Sequence, residues 1–161
     1  MQTSTHVSDE KKEELGIIFP GMRDHHILNI YRDLRNKLLR ISDYQNFVCV
    51  LSSLSPDGDT AKLSMNLAAV FAFDKSRSSI VIECDTNHSL IEKLSTQESD
   101  NGLIDFIEND LDDISILIQE SGIERLRIVP AGNVIETSTE SLESIRMREI
   151  VTELKKRYPD R

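Results

Sequence analysis

The chain has 161 residues, which is the size of one domain with room for a hydrophobic core. Its 28 acidic and 19 basic residues give a net charge of −9. Such a surface repels nucleic acid and anionic membranes, and it offers no general attraction for a nucleoside triphosphate. We therefore expect neither nucleic-acid binding nor a charge-driven membrane contact.

Targeting and cysteine signals are weak. The amino terminus is polar and acidic, and the longest apolar run, residues 67–73, is too short to cross a bilayer. Cys49 and Cys84 have no zinc-ligand spacing and lie within predicted strands, so we expect both to be small buried core residues. The chain is predicted to be cytoplasmic, without direct membrane insertion.

The first predicted elements are an arm and a helix. Residues 1–23 are mostly polar, with one apolar patch at 17–19, and are predicted to form a mobile amino-terminal arm. Over residues 24–40, apolar side chains recur at three- and four-residue spacing, which predicts a helix with one buried face. The side chains of that face are Ile27, Tyr31, Leu34, Leu38 and Ile41.

The rest of the chain alternates between strand-like and helix-like segments. Such alternation predicts an α/β fold with a three-layer, mainly parallel sheet. In chain order we predict a strand at 46–53, a helix at 60–73, a strand at 79–84, a short helix at 88–95, a polar linker at 95–101, a short helix at 102–109, strands at 114–118 and 126–129 joined by a turn at 121–122, and a last helix at 140–157.

The loop between the first strand and the next helix, residues 56–62, is the main functional signal. A strand, a tight turn and a helix aim backbone N–H groups and the positive end of a helix dipole at a phosphate. A working loop of this kind follows the pattern G-x-x-x-x-G-K-[ST], in which the lysine contacts phosphate and the hydroxyl residue holds magnesium. Those two places here hold Thr60 and Ala61. The loop thus keeps the scaffold of a phosphate site without its working groups.

Acidic residues take the place of the missing groups. Asp57 and Asp59 precede the helix, where an aspartate cap is worth about 1 kcal/mol and occupies the N–H groups that a phosphate would use. Lys62 lies two positions after the place of the lysine in this pattern and should point from another side of the helix. We expect the degenerate loop, which includes Gly58, to cap itself and to bind ATP weakly or not at all. No cofactor is therefore expected.

This stretch resembles the phosphate loop of the cytoplasmic ATPase domain of bacterial tyrosine kinases, which accompany polysaccharide polymerisation and export. The family pattern S-x-x-P-G-E-G-K-S-T, followed by N-L-A, aligns without a gap with residues 53–62 and with Asn66-Leu67-Ala68. The family helix motif E-x-x-R-x-L-R-T-N aligns with residues 29–37. Arg32 and Arg35 are kept there, and Asn29 replaces the glutamate.

Three further motifs follow in the family order. The family D-x-D at the end of a strand corresponds to Glu83 and Asp85, and G-L-x-D-x-L corresponds to residues 102–107. P-A-G corresponds to residues 130–132, and the residues at matching distances after it are Glu140, Leu142 and Ser144. The resemblance therefore spans roughly residue 24 to the end.

The resemblance implies a P-loop NTPase type of fold that is incomplete at its carboxyl-terminal side. The chain stops at Arg161, before the strand that carries the family's second aspartate motif. Residues 24–161 are accordingly interpreted as a partial, degenerate ATPase-like domain, either as a fragment or as a naturally short relative. By the same resemblance Glu83 and Asp85 are a possible residual acidic site, against the alternative of an ordinary polar strand end.

The resemblance also implies that Arg32 and Arg35 contact a neighbouring subunit in a ring. The alternative is a pair of solvated arginines on an amphipathic helix. No catalytic residue and no metal site follow from the spacing of histidine, cysteine, serine or carboxylate residues.

Three functions are open at this point. The first is a non-catalytic relative of a tyrosine kinase domain that acts as a structural or regulatory component of exopolysaccharide synthesis and export. Its partners would be like subunits in a homo-oligomer or a membrane-bound polysaccharide co-polymerase at the inner face of the membrane. The second is a fragment of an ATP-dependent tyrosine autokinase, which would need Mg-ATP. The third is an unrelated small α/β module that binds a partner.

Overall fold

The computed structural model describes residues 7–55, 58–85, 90, 94, 101–109, 113–133 and 138–158. Its helices are α1 (Asp9–Glu14), α2 (His25–Ile41), α3 (Thr60–Ala72), α4 (Leu103–Glu108), α5 (Ser138–Glu143) and α6 (Ile145–Arg157). Its strands are β1 (Ser79–Ile82), β2 (Gln119–Glu120) and β3 (Leu126–Val129), and a 3-10 helix, Ile114–Leu117, precedes β2.

The described strands form one sheet in the order β1-β3-β2. β1 pairs with β3 in parallel, with Ser79 opposite Leu126 and Ile82 opposite Val129. The short β2 pairs with β3 in the antiparallel direction. The predicted α/β class is confirmed, and the described sheet contains one parallel and one antiparallel pair.

Helices cover both faces of the β1–β3 pair. Because side chains alternate along a strand, neighbouring strand residues contact different helices. On one face, Val81 and Ile128 pack with Met65 and Ala69 of α3. On the other face, the neighbouring strand residues pack with α4 and α6. This second cluster contains Ile80, Ile82, Val129, Leu103, Phe106, Ile150 and Leu154.

Helix α2 packs against the outer side of α3. Its first turn is capped by Asp24, whose carboxylate accepts hydrogen bonds from the N–H groups of His26 and Ile27. Leu28 of α2 joins Leu67 and Val70 of α3 in a third apolar cluster. The helices predicted at 24–40 and 60–73 are thus confirmed, but Ile27 and Ile41, expected on the buried face of the first, are exposed.

A mobile arm was expected at residues 1–23, and the described part of it, from residue 7 onward, contains a helix and buried side chains. Residues 9–14 form helix α1, and Ile17 and Ile18 are fully buried. Asn66 of α3 holds this segment in place, since its side-chain oxygen accepts from the Ile18 N–H at 2.8 Å and its amide donates to the Gly16 carbonyl at 3.0 Å. The apolar patch at 17–19 outweighs the polar composition around it, because burying two isoleucines is favourable.

Two predicted strands and one predicted helix need correction. Residues 114–118 were expected to form a strand, but the segment begins as a 3-10 helix capped by Asp113, and pairing starts only at Gln119. Residues 46–53 form no strand pairing with any other described residue. The helix expected at 140–157 is broken at Ser144, whose hydroxyl caps α6 by accepting from the Met147 N–H. Most of the helix expected at 88–95 and most of the linker at 95–101 lie outside the described residues.

The prediction that both cysteines are buried is wrong. Cys49 and Cys84 are exposed free thiols. Cys49 lies at 46–53, where no pairing with a described strand occurs, and Cys84 lies two residues after the last residue of β1. Both predictions assumed a longer, fully covered strand at these positions. Among the described helices, none is both long enough and apolar enough to span a membrane.

Candidate functional site

The loop that leads into α3 is folded back on itself. The Ser53 hydroxyl accepts from the Ser55 N–H at 3.1 Å and donates to the Ser55 carbonyl at 2.6 Å. That carbonyl also accepts from the Gly58 N–H at 3.0 Å. A Cβ atom at Gly58 would collide with the Ser53 hydroxyl, so only glycine allows this close approach. Pro56 and Asp57 lie outside the described residues.

The start of α3 is capped by the loop's own carboxylate. Asp59 accepts from the Lys62 N–H at 3.0 Å through its side chain and from the Leu63 N–H at 3.1 Å through its backbone carbonyl. The Thr60 N–H donates to the Gly58 carbonyl at 3.0 Å. Several N–H groups that could face a phosphate are thus already engaged inside the loop.

Lys62 is held by the same carboxylate. Its ammonium lies 2.7 Å from the second carboxylate oxygen of Asp59, in a half-exposed ion pair. Its side chain passes Gly16, where a Cβ atom would lie 3.4 Å from the lysine methylene carbons. Thr60 and Ala61 occupy the first turn of α3, and Ala61 brings no polar side-chain group. The described loop therefore directs its only lysine at an aspartate of the loop.

Glu83 and Asp85 follow β1 but have different surroundings. Glu83 is buried, its N–H donates to the Val129 carbonyl at 3.0 Å, and its carboxylate accepts from the Leu90 N–H at 3.1 Å. Asp85 is exposed. A buried carboxylate that accepts from a backbone N–H fixes the chain at the strand end. In the part of the chain that the structure describes, no three histidine, cysteine or acidic residues are grouped to hold a metal.

Arg32 and Arg35 lie on the same helix but make different contacts. The Arg35 guanidinium donates to the Val70 carbonyl of α3 at 2.9 Å and to the Asn36 side chain at 3.3 and 3.4 Å. It therefore links α2 to the last turn of α3. Arg32 is exposed, and its contact to Asn29 is 3.4 Å long. Arg35 stabilises the fold of its own chain, whereas Arg32 lies on the surface.

One polar junction was not predicted as a site. Asp105 of α4 accepts from the Gly102 N–H at 2.8 Å, from the Asn133 N–H at 3.0 Å and from the Asn133 side chain at 2.8 Å. Gly132 has a φ of +87°, and a Cβ atom there would collide with the Asp105 carboxylate. The motif segments at 102–107 and 130–132 therefore meet through one carboxylate. Both motifs were visible in the sequence, but their contact was not.

The charge of Asp105 is favoured by this junction. Partial burial alone would raise the pKa of the carboxyl, but the hydrogen bonds from Asn133 and Gly102 outweigh it and lower the pKa below its usual value. These hydrogen bonds join separate parts of the same chain, so the junction stabilises the fold.

No family model and no curated protein sequence matches the chain. Solved structures do match it. The kinase domain of the Escherichia coli tyrosine kinase ETK is 23% identical, with a TM-score of 0.75 over 89% of this chain and 56% of that chain. The VpsO kinase domain is 22% identical, with a TM-score of 0.71 over 94% of this chain and 68% of that chain. The BceF tyrosine kinase domain is 21% identical, with a TM-score of 0.69 over 94% of this chain and 62% of that chain.

These likenesses establish the fold. The predicted resemblance to bacterial tyrosine kinase domains is confirmed at that level, because the chain superimposes on such domains along most of its own length. The chain spans 56% of the ETK domain and 62% of the BceF domain. At 21 to 23% identity, the shared fold does not show that this chain has the activity of those proteins.

Proposed function

We propose that this chain is a non-catalytic relative of a bacterial tyrosine kinase domain. In this proposal it serves as a structural or regulatory component of exopolysaccharide synthesis and export, through contacts with like subunits or with a membrane-bound co-polymerase. The observation that carries the proposal is the engagement of the phosphate loop with itself, in which Asp59 holds both the N–H and the ammonium of Lys62.

A nucleotide would have to displace these contacts. The loss of a helix cap costs about 1 kcal/mol, and a triphosphate placed at the start of α3 would face the Asp59 carboxylate without a free lysine beside it. Phosphoryl transfer depends almost entirely on positioning and on positive charge at the transferring group. Thr60 supplies no charge, and Ala61 supplies no hydroxyl for magnesium.

The link to polysaccharide export rests on two supports. The five motifs occur in the family order, and the fold is similar to that of tyrosine kinase domains. The same fold favours one alternative, in which the chain is part of an ATP-dependent tyrosine autokinase. The two functions make opposite predictions about magnesium-dependent nucleotide binding.

Isothermal titration of Mg-ATP and Mg-ADP into the natural chain tests the proposal. We expect no binding heat up to about 1 mM nucleotide, which corresponds to a binding free energy weaker than about −4 kcal/mol. A Thr60→Lys, Ala61→Ser variant, checked for an unchanged melting temperature, shows whether the loop geometry can accept the missing groups. Magnesium-dependent binding by the natural chain below about 1 mM would overturn the proposal and favour the autokinase.

A further inference from the structure

Residues 8–18, hereafter the strap, comprise helix α1 and the turn that follows it. Gly16 ends the helix in the left-handed region, with a φ of +68°. The Ile17 N–H donates to the Lys12 carbonyl at 2.8 Å, and the Gly16 N–H donates to the Glu13 carbonyl at 3.0 Å. These two hydrogen bonds are the usual closure of a helix at a left-handed glycine. The strap therefore leaves α1 in a fixed direction.

The strap is packed against the domain as a unit. Lys12 has only 8% of its side chain exposed, and its ammonium lies 3.0 Å from the Asp9 carboxylate and 5.8 Å from the centre of the Phe19 ring. Ile17 and Ile18 are fully buried. Because buried side chains anchor its carboxyl-terminal end, the strap has one position on the domain, and the residues beneath it are in contact with a fixed surface.

Two side chains of α3 meet the strap at the Gly16 turn. Lys62 and Asn66 are four residues apart on α3, so they lie on the same face of the helix. Asn66 accepts from the Ile18 N–H at 2.8 Å and donates to the Gly16 carbonyl at 3.0 Å. The methylene carbons of Lys62 pass Gly16, where a Cβ atom would lie 3.4 Å from them. One face of α3 thus contacts the strap from its first turn to its second.

Lys62 joins the strap to the phosphate loop. Its methylene groups lie against Gly16, while its ammonium lies 2.7 Å from the Asp59 carboxylate that also accepts from the Lys62 N–H. A long side chain gives up rotamer freedom when it forms an ion pair, and this cost weakens pairs at a surface. Packing of the methylene groups against Gly16 has already restricted the Lys62 side chain. The strap therefore favours the ion pair, and the ion pair favours docking of the strap.

We propose that the strap is an autoinhibitory lock, which holds the phosphate loop in its self-capped state through Lys62. Coupling between two sites is reciprocal, so lifting the strap releases Lys62 from Asp59, and breaking the contact of Lys62 loosens the strap. The inference rests on the self-capped loop of the proposed function and adds what keeps that loop closed. It also makes the amino-terminal segment the place from which the loop can be opened.

Hydrogen exchange in the nucleotide-free chain tests the effect of the loop on the strap. Lys62→Ala removes the methylene groups and the ion pair but keeps the N–H that Asp59 caps. Alanine is a better helix former than lysine, so a weaker α3 does not explain an effect. We expect exchange of the Ile18 amide to become at least about threefold faster, as for the loss of a half-exposed contact.

Two comparisons control that measurement. Exchange at the amides of α6, which pack on the other face of the sheet, reports any change in global stability. Lys156→Ala removes an exposed lysine from α6 and should leave the Ile18 amide unchanged. An Ile18 amide that exchanges equally fast in the natural chain and in Lys62→Ala, or that accelerates alike in both lysine variants, would overturn the proposal.

The reverse measurement starts from the strap. Asn66→Ala removes the two hydrogen bonds to the strap without touching the loop, and alanine again favours the helix. Relative to the α6 amides, we expect the Lys62 amide to exchange at least about threefold faster, whereas Asn29→Ala should leave it unchanged. A Lys62 amide that keeps its protection in Asn66→Ala would contradict the lock.

The exchange experiments and the nucleotide titration can fail separately. The exchange rates are measured without nucleotide, so they test the coupling whether or not the natural chain binds Mg-ATP. Uncoupled exchange together with a silent titration would overturn the strap alone. Coupled exchange together with magnesium-dependent binding would support the strap and overturn the proposed function.

Discussion

Two apolar runs of similar composition lie on either side of α3, and only one of them belongs to the sheet. β1, at Ser79–Ile82, pairs with β3 along its whole length and is covered by helices on both faces. Residues 46–52 contain the same kinds of side chain, yet Val50 is 86% exposed and the backbone of these residues pairs with no described strand. The difference shows that apolar composition alone does not place a segment in the sheet. The segment also needs the backbone of a second segment beside it.

The largest expected effect on the free energy of unfolding comes from a substitution in the β1–β3 pair. Ile128 of β3 is fully buried under α3, and Ile128→Ala should lower the free energy of unfolding by about 2 to 5 kcal/mol, because it removes buried methyl groups and leaves a cavity. The matched change Val50→Ala should alter the free energy by no more than about 0.5 kcal/mol. Urea unfolding of the two variants and the natural chain measures both effects. Equal losses in the two variants would show that Val50 is covered in solution.

A side chain can replace a missing backbone partner, and Asn66 does so for residues 16–18. Asn66 is 2% exposed and binds the Ile18 N–H and the Gly16 carbonyl. Asn66→Ala should lower the free energy of unfolding by about 1 to 3 kcal/mol, because it leaves a buried N–H without an acceptor.

The control for Asn66 is Asn29→Ala, in which an exposed asparagine of α2 loses only a 3.4 Å contact with Arg32. We expect that change to be close to neutral. Hydrogen exchange gives an independent readout, since the Ile18 amide should lose its protection in Asn66→Ala and keep it in Asn29→Ala. An unchanged Ile18 amide would mean that the amino-terminal segment is held by its isoleucines alone.

Local patterns in the sequence were enough to predict α2, α3 and α4 and the paired strands β1 and β3. The spacing of apolar residues located α2 and α3 within one residue at each end, and the strand at 126–129 was predicted with its observed ends. The Asp59 cap at the start of α3 could also be predicted, because an aspartate directly before a helix caps it wherever the helix lies in the fold. These features depend on a few neighbouring residues.

Features that depend on distant partners could not be predicted. Ile114–Leu117 has strand-like composition, but it forms a 3-10 helix whose apolar residues fill the space beside α4 and α6. Cys49 was expected to be buried because a strand was expected to be covered. Arg35 donates to a carbonyl 35 residues away. In each case the deciding atom lies on another element, and a single sequence does not show which element that is.

Beyond the carboxyl end of β3, hydrogen bonds to the Asp105 carboxylate replace strand pairing. They join the loop at Gly102 to the loop at Asn133. Asp105→Asn keeps the shape but turns an acceptor of three hydrogen bonds into a partial donor, so we expect a loss of about 1 to 2 kcal/mol at pH 7. The folded-state pKa of Asp105 lies below its unfolded value, so its contribution is present above about pH 4 and is lost as pH falls through the folded-state pKa.

The pH dependence isolates this group from other acids. Hydrogen bonds from Ser76 lower the pKa of Asp74 as well, so the natural chain should lose stability at low pH for several reasons. The difference between the natural chain and Asp105→Asn removes those shared contributions. That difference, measured by urea unfolding at several pH values, should shrink as the pH falls below about 4. A constant difference would mean that the charge of Asp105 is not what the junction stabilises.

The smallest expected effect concerns the ion pair between Asp113 and Arg157. Hydrogen bonds from the Arg157 side chain and from Ser115 lower the pKa of Asp113 to about 2. The pair joins the cap of the 3-10 helix to the last turn of α6 at 2.8 Å, but both side chains are about half exposed. Arg157→Ala should therefore leave the unfolding transition almost unchanged, because solvent screens exposed pairs.

The same variant should still change the titration of the carboxyl. In an NMR titration, the pKa of Asp113 should rise in Arg157→Ala, because the hydrogen bond from Arg157 is gone while the one from Ser115 remains. If the pKa does not move, the two side chains do not meet in solution, and the cap alone sets the charge of Asp113. Because the folded-state pKa and the pH dependence of stability are linked, a rise in the pKa of Asp113 must appear as a loss of the stability that the charged carboxylate contributes above its pKa. A nearly unchanged unfolding transition at neutral pH therefore implies that the pKa rises only slightly.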